Sequence, residues 1–145
     1  MPPELLRGGT AIDDRGHLGY VNGVDFTPVR RLYVVSNHRP GFVRAWHGHQ
    51  REDKWVMVVS GAAIVAAVEV DDWEHPSRDA MVHRFVLSEH QPDILHIPAG
   101  YANGFKTLTP GTRVMFWSTA TLEGSLSDDF RWPATYWDPW EVTER

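Results

Sequence analysis

The amino-acid sequence predicts an all-β protein, built as a barrel or a sandwich. Short segments rich in β-branched and aromatic residues recur along the chain, and glycine, proline, asparagine and aspartate separate them. The clearest of these segments is the apolar run 55–59, which a turn at Gly61 follows. Regular spacing of such segments, with turn residues between them, is typical of antiparallel barrels and sandwiches.

Seven segments are predicted to form strands. In chain order they are residues 30–36, 42–47, 55–59, 62–70, 82–87, 94–97 and 113–118. A helix competes only in the segment 62–70, because its alanines suit a helix. Gly61 before that segment, the β-branched residues within it, and Asp71 and Asp72 after it favour a strand.

Two further regions are predicted to be irregular. Asn103 and the glycines around it are typical of a turn. The tail after Leu122 is aromatic and rich in proline, and it is too apolar to stay free in solvent. We expect this tail to pack over the mouth of the barrel or against a partner subunit.

Composition and charge limit the possible functions. The 145 residues suit a single domain, 1–145, and seven Trp, six Phe and four Tyr supply a large core. The 19 acidic and 14 basic residues are interspersed and give a net charge of -5, so no basic face indicates nucleic acid or an anionic membrane surface. No cysteine is present, and no apolar run approaches the ~20 residues that span a bilayer. We therefore expect a cytoplasmic protein without nucleic-acid or membrane partners.

One predicted strand holds the candidate active site. It carries two imidazoles, His47 and His49, and the guanidinium of Arg44. Side chains at positions i and i+2 leave the same face of a strand, so the two histidines should point together, with Val43 and Ala45 on the same face. The alternative is that both imidazoles are hydrogen-bonded members of the core.

The same residues match the general cupin pattern, G-x5-H-x-H-x4-E-x6-G followed by P-x-G-x2-H-x3-N. The matching residues are Gly41, His47, His49, Gly61, Pro98 and Gly100. The chain therefore resembles the cupins, which implies a cupin-type antiparallel double-stranded β-helix, the jelly-roll barrel. Lys54 stands where the pattern has its glutamate ligand, and Asn103 stands where it has its third histidine. An ammonium repels a divalent ion and a neutral amide is a weak ligand, so we expect no bound metal.

Further segments resemble one branch of the cupins, the nucleotide-sugar epimerases and isomerases. Residues 14–18 are similar to their D-x-R-G-x-[LF] segment, and residues 44–47 are similar to their R-G-x-H. Residues 97–105 resemble the I-P-x-G-F-A-H-G-F of the dTDP-4-dehydrorhamnose 3,5-epimerases. The match to these epimerases implies that His47 is the base that removes the proton next to the sugar ketone, and that Lys54 lies close to the sugar.

Other features resemble the dTDP-hexose 3,4-ketoisomerases. Their R-G-x-H-A-H-K segment follows a K-R-V-Y-Y-I strand, and residues 30–35 and 44–50 reproduce that arrangement, including Tyr33. Phe116 stands where the epimerases have their general-acid tyrosine, and the carboxylate that orients their base belongs to a C-terminal segment beyond Arg145. The short length also suits the ketoisomerases, so both reactions stay open.

These resemblances imply a set of site residues. The predicted catalytic residues are His47, His49, Lys54 and Tyr33, and the predicted substrate-binding residues are Arg44, Arg15, Asn103, Tyr101, Trp46 and Arg131. A base removes the α-proton of a ketone, while cations stabilise the developing enolate or grip a diphosphate. Exposed rings, including those of Trp137 and Trp140, could stack on a nucleobase. Alternatively, Lys54 is a solvated strand end beside Glu52 and Asp53.

The predicted function is that of a metal-independent nucleotide-sugar epimerase or isomerase without a cofactor. Its substrate would be a dTDP-4-keto-6-deoxyhexose, in deoxysugar or polysaccharide biosynthesis, and by resemblance the protein would be a homodimer. One alternative is a cupin that binds a sugar or nucleotide sugar without turnover. The other is a metal-dependent cupin enzyme that uses His47 and His49.

Overall fold

The computed structural model describes residues 1–145, and nearly all of its regular structure is antiparallel β. The elements are β1 (Glu4–Arg7), β2 (Gly9–Asp13), β3 (Gly16–Tyr20), β4 (Arg31–Ser36), β5 (Val43–His49), β6 (Lys54–Ser60), β7 (Ala62–Glu69), β8 (Val82–Ser88), β9 (Asp93–Ile97), β10 (Tyr101–Thr107), β11 (Arg113–Ser118), α1 (Leu122–Leu126) and β12 (Phe130–Arg131). No helix is long and apolar enough to cross a membrane.

Two five-stranded sheets face each other as a jelly roll. The first sheet has the strand order β1-β9-β6-β11-β4, and the second has the order β12-β5-β10-β7-β8. Strands β2 and β3 form a separate hairpin. Successive strands cross from one sheet to the other between β4 and β7, and again between β8 and β11. The prediction of an all-β, cupin-type antiparallel barrel is therefore confirmed.

All seven predicted strands are present, and their ends differ from the prediction by at most two residues. Strands β1, β2, β3, β10 and β12 were not predicted. The prediction of a turn around Asn103 is wrong, because Asn103 lies inside β10. Strand β10 runs between β5 and β7, so both of its edges are paired. This ladder on both sides outweighs the low β-propensity of asparagine and glycine.

The space between the sheets forms the inner core. Apolar side chains from both sheets meet there, and its large members include Val56, Val65, Leu95, Phe105 and Phe116. Along the inner face of β5 and at the start of β6, polar side chains replace the apolar ones. At that end of the sandwich the core gives way to a cavity.

An outer core covers the opposite face of the second sheet. Trp46, Ile64 and Val68 project from this face, and Trp137 and Trp140 of the C-terminal tail pack on them. The indole Nε1 of Trp46 donates to the carbonyl oxygen of Trp137 at 3.0 Å. The end of the tail therefore covers a sheet face, whereas its first part, from α1 to Arg131, lines the cavity between the sheets. The prediction that the tail packs over the barrel mouth is confirmed for the first part and wrong for the end. All three tryptophans are buried, so the prediction that they offer exposed stacking rings is also wrong.

A bulge in β5 sets the direction of its side chains. Asn103 of β10 pairs with His47, whereas Phe105 pairs with Arg44. Strand β5 therefore has one residue more than β10 over this stretch, which is the definition of a bulge. An extra residue moves all later side chains of the strand to the other face.

This bulge changes which residues accompany the histidines. Arg44 joins His47 and His49 on the inner face, where all three line the cavity. Val43 and Ala45 pack against the outer core instead. The prediction that Val43 and Ala45 share the face of the histidines is therefore wrong, because it assumed an unbroken alternation along the strand.

Candidate active site

A cavity of about 270 Å³ lies between the two sheets, beside the inner face of β5. Both sheets, helix α1 and the segment that leads into β12 contribute to its walls. Seven of the ten predicted site residues line this cavity, namely Tyr33, Arg44, His47, His49, Lys54, Asn103 and Arg131. The fold thus brings together side chains from β4, β5, β6, β10 and β12.

Three predicted site residues lie elsewhere. Arg15 is at the exposed tip of the β2–β3 hairpin, where its guanidinium pairs with Asp13 at 2.6 Å. Tyr101 is buried in the inner core, and its ring lies edge-on to that of His83. Trp46 is fully buried on the outer face of the second sheet. The prediction of exposed stacking rings is therefore wrong for Tyr101 and for Trp46, because both rings are used in packing.

His47 presents an uncommitted ring to the cavity. No hydrogen bond engages either of its nitrogens, and the ring is partly buried. Burial, together with the positive charges of Lys54 and Arg131, lowers the pKa of His47 to about 4. The imidazole is therefore neutral at neutral pH, and its lone pair is free to accept a proton.

His49 is held through one of its nitrogens. Only its Nδ1 forms a hydrogen bond, at 2.6 Å from the carbonyl oxygen of Asp128, whereas its Nε2 lies 3.2 Å from Oε2 of Glu52 without one. Because a carbonyl oxygen can only accept, Nδ1 is the nitrogen that carries a hydrogen. Burial and the charge of Lys54 lower the pKa of His49. His47 and His49 therefore share a cavity but differ in how free their nitrogens are.

The cavity wall is rich in positive charge. Arg31, Arg44, Lys54 and Arg131 line it, whereas Asp129 is its acidic lining residue. The Nε of Arg131 donates to the Asp129 carboxylate at 3.1 Å, which leaves the other guanidinium nitrogens free. Guanidinium groups offer paired donors that match phosphate oxygens, and an ammonium offers a point charge. The arrangement suits an anionic ligand.

Comparison with known proteins adds the family. Residues 19–135 match the family model described as dTDP-4-dehydrorhamnose 3,5-epimerase. The chain belongs to the dTDP-4-dehydrorhamnose 3,5-epimerase family. The match covers most of the chain, so the resemblance predicted from the motifs is confirmed.

Two curated relatives of this epimerase-family chain carry names that refer to glycan or polysaccharide biosynthesis. The probable low-salt glycan biosynthesis epimerase Agl13 of Haloferax volcanii is 30% identical over 99 residues, which are 66% of this chain and 63% of the relative. The spore coat polysaccharide biosynthesis protein SpsL of Bacillus subtilis is 28% identical over 105 residues, which are 71% of this chain and 66% of the relative. The matched part thus spans slightly less than two thirds of each relative.

Solved structures of the epimerase family and of a ketoisomerase share the fold. The dTDP-4-dehydrorhamnose 3,5-epimerase of Bacillus anthracis, with TDP and PPi bound, has a TM-score of 0.75 at 24% identity, covering 98% of this chain and 86% of that one. RmlC of Legionella pneumophila, in complex with dTDP-4-keto-L-rhamnose, has a TM-score of 0.76 at 17% identity, covering 99% and 80%. The 3,4-ketoisomerase QdtA of Thermoanaerobacterium thermosaccharolyticum, in complex with TDP, has a TM-score of 0.69 at 16% identity, covering 92% and 90%.

An aromatic pair lines this epimerase-family cavity. The rings of Tyr33 on β4 and Phe116 on β11 are stacked, with 5.0 Å between their centroids. Phe116 has no ionisable proton, but the hydroxyl of Tyr33 is close by on the neighbouring strand. Burial and the charge of Glu52 raise the pKa of Tyr33 to about 12. The phenol therefore stays protonated at neutral pH and is able to donate.

Arg31, Asp129 and Glu52 are site residues that were not predicted, and Glu52 is the most deeply buried of them. Its side chain is almost fully buried, and its oxygens lie 3.6 Å from Nζ of Lys54 and 3.6 Å from the guanidinium of Arg31. Lys54 is also buried, so the alternative of a solvated strand end is wrong. The charged run 51–54 is typical of an exposed turn, and only its position directly before a buried strand could have pointed to burial.

The two departures from the metal-binding cupin pattern both lie in the cavity. Lys54 and Asn103 line it together with His47 and His49. Asn103 is the partner of His47 across the β5–β10 ladder. The structure contains no group of three or more histidine, cysteine, aspartate or glutamate side chains arranged to hold a metal ion.

Proposed function

We propose that this protein is a metal-independent nucleotide-sugar epimerase or isomerase, which removes a proton next to the ketone of a dTDP-4-keto-6-deoxyhexose. The observation that carries the proposal is the neutral, uncommitted ring of His47 in a cavity lined with cations. Residues 1–145 would act as one domain for this reaction. The names of the curated relatives support a role in glycan or polysaccharide synthesis.

The cations of the cavity support an anionic nucleotide sugar as the substrate. Arg44 and Arg131 offer guanidinium donors that suit the two phosphates of a diphosphate. TDP is bound in the structures of the Bacillus anthracis epimerase and of QdtA, which have the same fold. A bound diphosphate would also offset the positive charges that lower the pKa of His47, and the base would become stronger when substrate is present.

The proposed reaction begins with transfer of the α-proton to His47. The carbon–hydrogen bond breaks, its electron pair moves to form an enolate, and the ammonium of Lys54 stabilises the negative oxygen. A proton then returns from the hydroxyl of Tyr33, which is protonated at neutral pH. Return to the opposite face of the same carbon gives an epimer. Return to the former carbonyl carbon, with the proton of the neighbouring hydroxyl moving to the former carbonyl oxygen, completes a ketone shift. Loss of the proton from His47 to solvent and uptake of one by Tyr33 restore both groups.

A homodimer is part of the proposal, and the outer face of the first sheet supports it. The C-terminal tail covers the outer face of the second sheet, whereas that of the first is covered only in part, where Phe26 stacks on Trp117 and Trp55 is buried. Apolar side chains form two rows there across β4, β11 and β6, and those that are exposed or half-buried are Leu32, Val34, Met57, Met115 and Trp117. A second copy of the chain would bury this surface.

The compartment is likewise a proposal. The chain has no cysteine, which fits a reducing cytoplasm. A nucleotide sugar as substrate is compatible with that placement, and we place the reaction in the cytoplasm.

Deuterium exchange tests the proposed function. The protein is incubated with dTDP-4-keto-6-deoxyglucose in deuterated water with a chelator, and proton NMR follows the sugar. Loss of signal at C3 or C5 indicates epimerisation, and label at C4 after a ketone shift indicates the ketoisomerase. Broadened ligand lines without exchange would instead indicate a protein that only binds, and a need for added metal would indicate the metal-dependent enzyme.

His47→Asn is the matching variant. The exchange rate should fall by about 10²–10⁴-fold, because an amide cannot accept the proton. Binding of dTDP, measured by calorimetry, should stay within about threefold, since His47 is not one of the cations. His90→Asn is the control, because the His90 side chain is 88% exposed and far from the cavity in the structure. Full exchange activity in His47→Asn would contradict the mechanism.

A further inference from the structure

A buried carboxylate lies beneath the cavity floor. The Glu52 side chain is 1% exposed, and it sits in the turn between β5 and β6. Neither carboxylate oxygen accepts a hydrogen bond of ordinary geometry from the protein. A buried charge costs free energy unless opposite charges surround it. The neighbours of Glu52 should therefore explain why this residue is charged at all.

Basic side chains from three different strands converge on this carboxylate. Arg31 on β4 reaches Oε1 at 3.6 Å, and Lys54 on β6 reaches Oε2 at 3.6 Å. The imidazole of His49 on β5 reaches Oε2 at 3.2 Å. Tyr33 is the remaining titratable side chain that feels this charge. Burial alone would raise the pKa of Glu52, but Lys54 and His49 bring it below its ordinary value.

The hydrogen position of His49 follows from one acceptor. Nδ1 must carry a hydrogen, because the carbonyl oxygen of Asp128 can only accept. Nε2 lies 3.2 Å from Oε2 of Glu52, but no hydrogen bond joins the two atoms. The carboxylate of Asp128 accepts from the backbone N–H groups of Gln50 and Arg51, and these bonds hold Asp128 in place beside His49.

Lys54 depends on the same carboxylate for its charge. Its side chain is 7% exposed, and its Nζ lies 5.8 Å from the centre of the Phe116 ring. Burial lowers the pKa of Lys54, and the charge of Arg31 lowers it further, whereas Glu52 raises it. Asp129, which also lines the cavity, raises the pKa of Lys54 as Glu52 does. Without Glu52, an ammonium at this depth would lose its nearest counter-charge.

We propose that Glu52 is a positioning residue, which keeps Lys54 as an ammonium at the cavity floor. Its action on the reaction rests on the proposed function, because Lys54 is the group that meets the enolate there. Its action on Lys54 is a property of the protein without substrate. The two are measured separately.

The chain allows a direct measurement, because Lys54 and Lys106 are its only lysines. The protein is labelled with lysine carrying ¹³C at Cε, and the two resonances are followed as pH is raised. In Glu52→Gln the midpoint of Lys54 should fall by about one pH unit or more, since an opposite charge 3.6 Å away is lost. Lys106, which donates to the carbonyl oxygen of Trp140, should titrate as in the wild type.

A charge-matched control separates a local effect from a general one. Glu4→Gln removes the same charge from an exposed position on β1, and it should leave the Lys54 midpoint unchanged. An unchanged Lys54 midpoint in Glu52→Gln would overturn the role of Glu52. An equal change in both variants would overturn it as well, because the effect would then come from net charge.

The wild-type protein gives a second test that needs no substitution. In the same ¹³C-lysine spectra, Lys54 of the wild type should be an ammonium at neutral pH, because Glu52 lies 3.6 Å away. A neutral Lys54 amine there would overturn the proposal, even if Glu52→Gln fails to fold.

Deuterium exchange completes the test. In Glu52→Gln the alkaline loss of exchange should move to lower pH together with the Lys54 midpoint, while Glu4→Gln keeps the wild-type profile. An exchange profile that stays in place while the Lys54 midpoint moves would overturn the role of Glu52 in the reaction. Absence of exchange in the wild type would overturn the proposed function itself, whatever the lysine spectra show.

Discussion

At the scale of single residues, the protonation of His47 determines how the reaction should depend on pH. The pKa of this ring is lowered to about 4, and the neutral form is the base. The kcat/KM for exchange should therefore stay level through neutral pH and fall as pH drops through about 4, because protonation removes the lone pair. Exchange rates down to the pH at which circular dichroism reports unfolding check this. An acid limb near the ordinary value of 6.5 would contradict it.

Tyr33 makes the second prediction at this scale. Tyr33→Phe removes the hydroxyl but keeps the ring that stacks on Phe116. Turnover should fall by about 10²-fold or more, because the proton donor is lost, whereas dTDP affinity should change little. Product formation followed by NMR and affinity followed by calorimetry measure the two effects. Tyr20→Phe on the β2–β3 hairpin is the control, and equal turnover in both variants would exclude Tyr33 as the donor.

The site residues differ in how far the sequence could predict them. His47 and His49 follow from spacing on one strand, and Lys54 follows from a family pattern. Glu52 could not be found this way, because its burial arises where β4, β5 and β6 meet, and its neighbours in sequence are charged. The direction of Arg44 also depends on a bulge, which is a property of two paired strands and not of one.

At the scale of elements, local composition was enough wherever a strand is apolar. Strands β6 and β7 consist mainly of valine, alanine and other apolar residues, so their sequences predict them as strands. Strand β10 carries asparagine and glycine at its centre, and its strand state comes from the ladders on both sides. Strands β1 to β3 are short and largely exposed, so they lack the alternating apolar pattern on which the prediction rests.

Gly104 tests the bulge as an element of the fold. It lies in β10 opposite the extra residue of β5, and a side chain there would overlap the Cβ of Ala45. Gly104→Ala should lower the free energy of unfolding by about 1–3 kcal/mol, because the buried strands have no space to separate. Urea unfolding of both proteins measures the change. Gly23→Ala is the control, since a Cβ there meets nothing within 4 Å, and an equal effect of the two substitutions would contradict the assignment.

At the scale of the whole molecule, the outer faces of the two sheets differ in how far they are covered. The second sheet buries its outer face under the tail, through Trp137 and Trp140. The first sheet leaves Leu32 and Val34 exposed on β4, beside a row of larger apolar side chains on β11. The sequence alone could not separate these faces, because both consist of apolar residues on alternate positions. The C-terminal tail packs on the second sheet, and its path therefore determines which outer face is buried.

This asymmetry leads to a prediction about assembly. Val34→Lys places a charge on the edge strand β4 of the exposed apolar face, where Val34 is 45% exposed. The wild-type protein should sediment as a dimer and the variant as a monomer, because a buried ammonium without a partner opposes association, whereas a single exposed lysine hardly affects the isolated subunit. Val86→Lys is the matched control, since Val86 is 59% exposed on β8 of the other sheet, and it should leave the dimer intact. Sedimentation velocity decides the outcome. A monomeric wild type, or dissociation by the β8 variant alone, would show that the second copy does not dock on the first sheet.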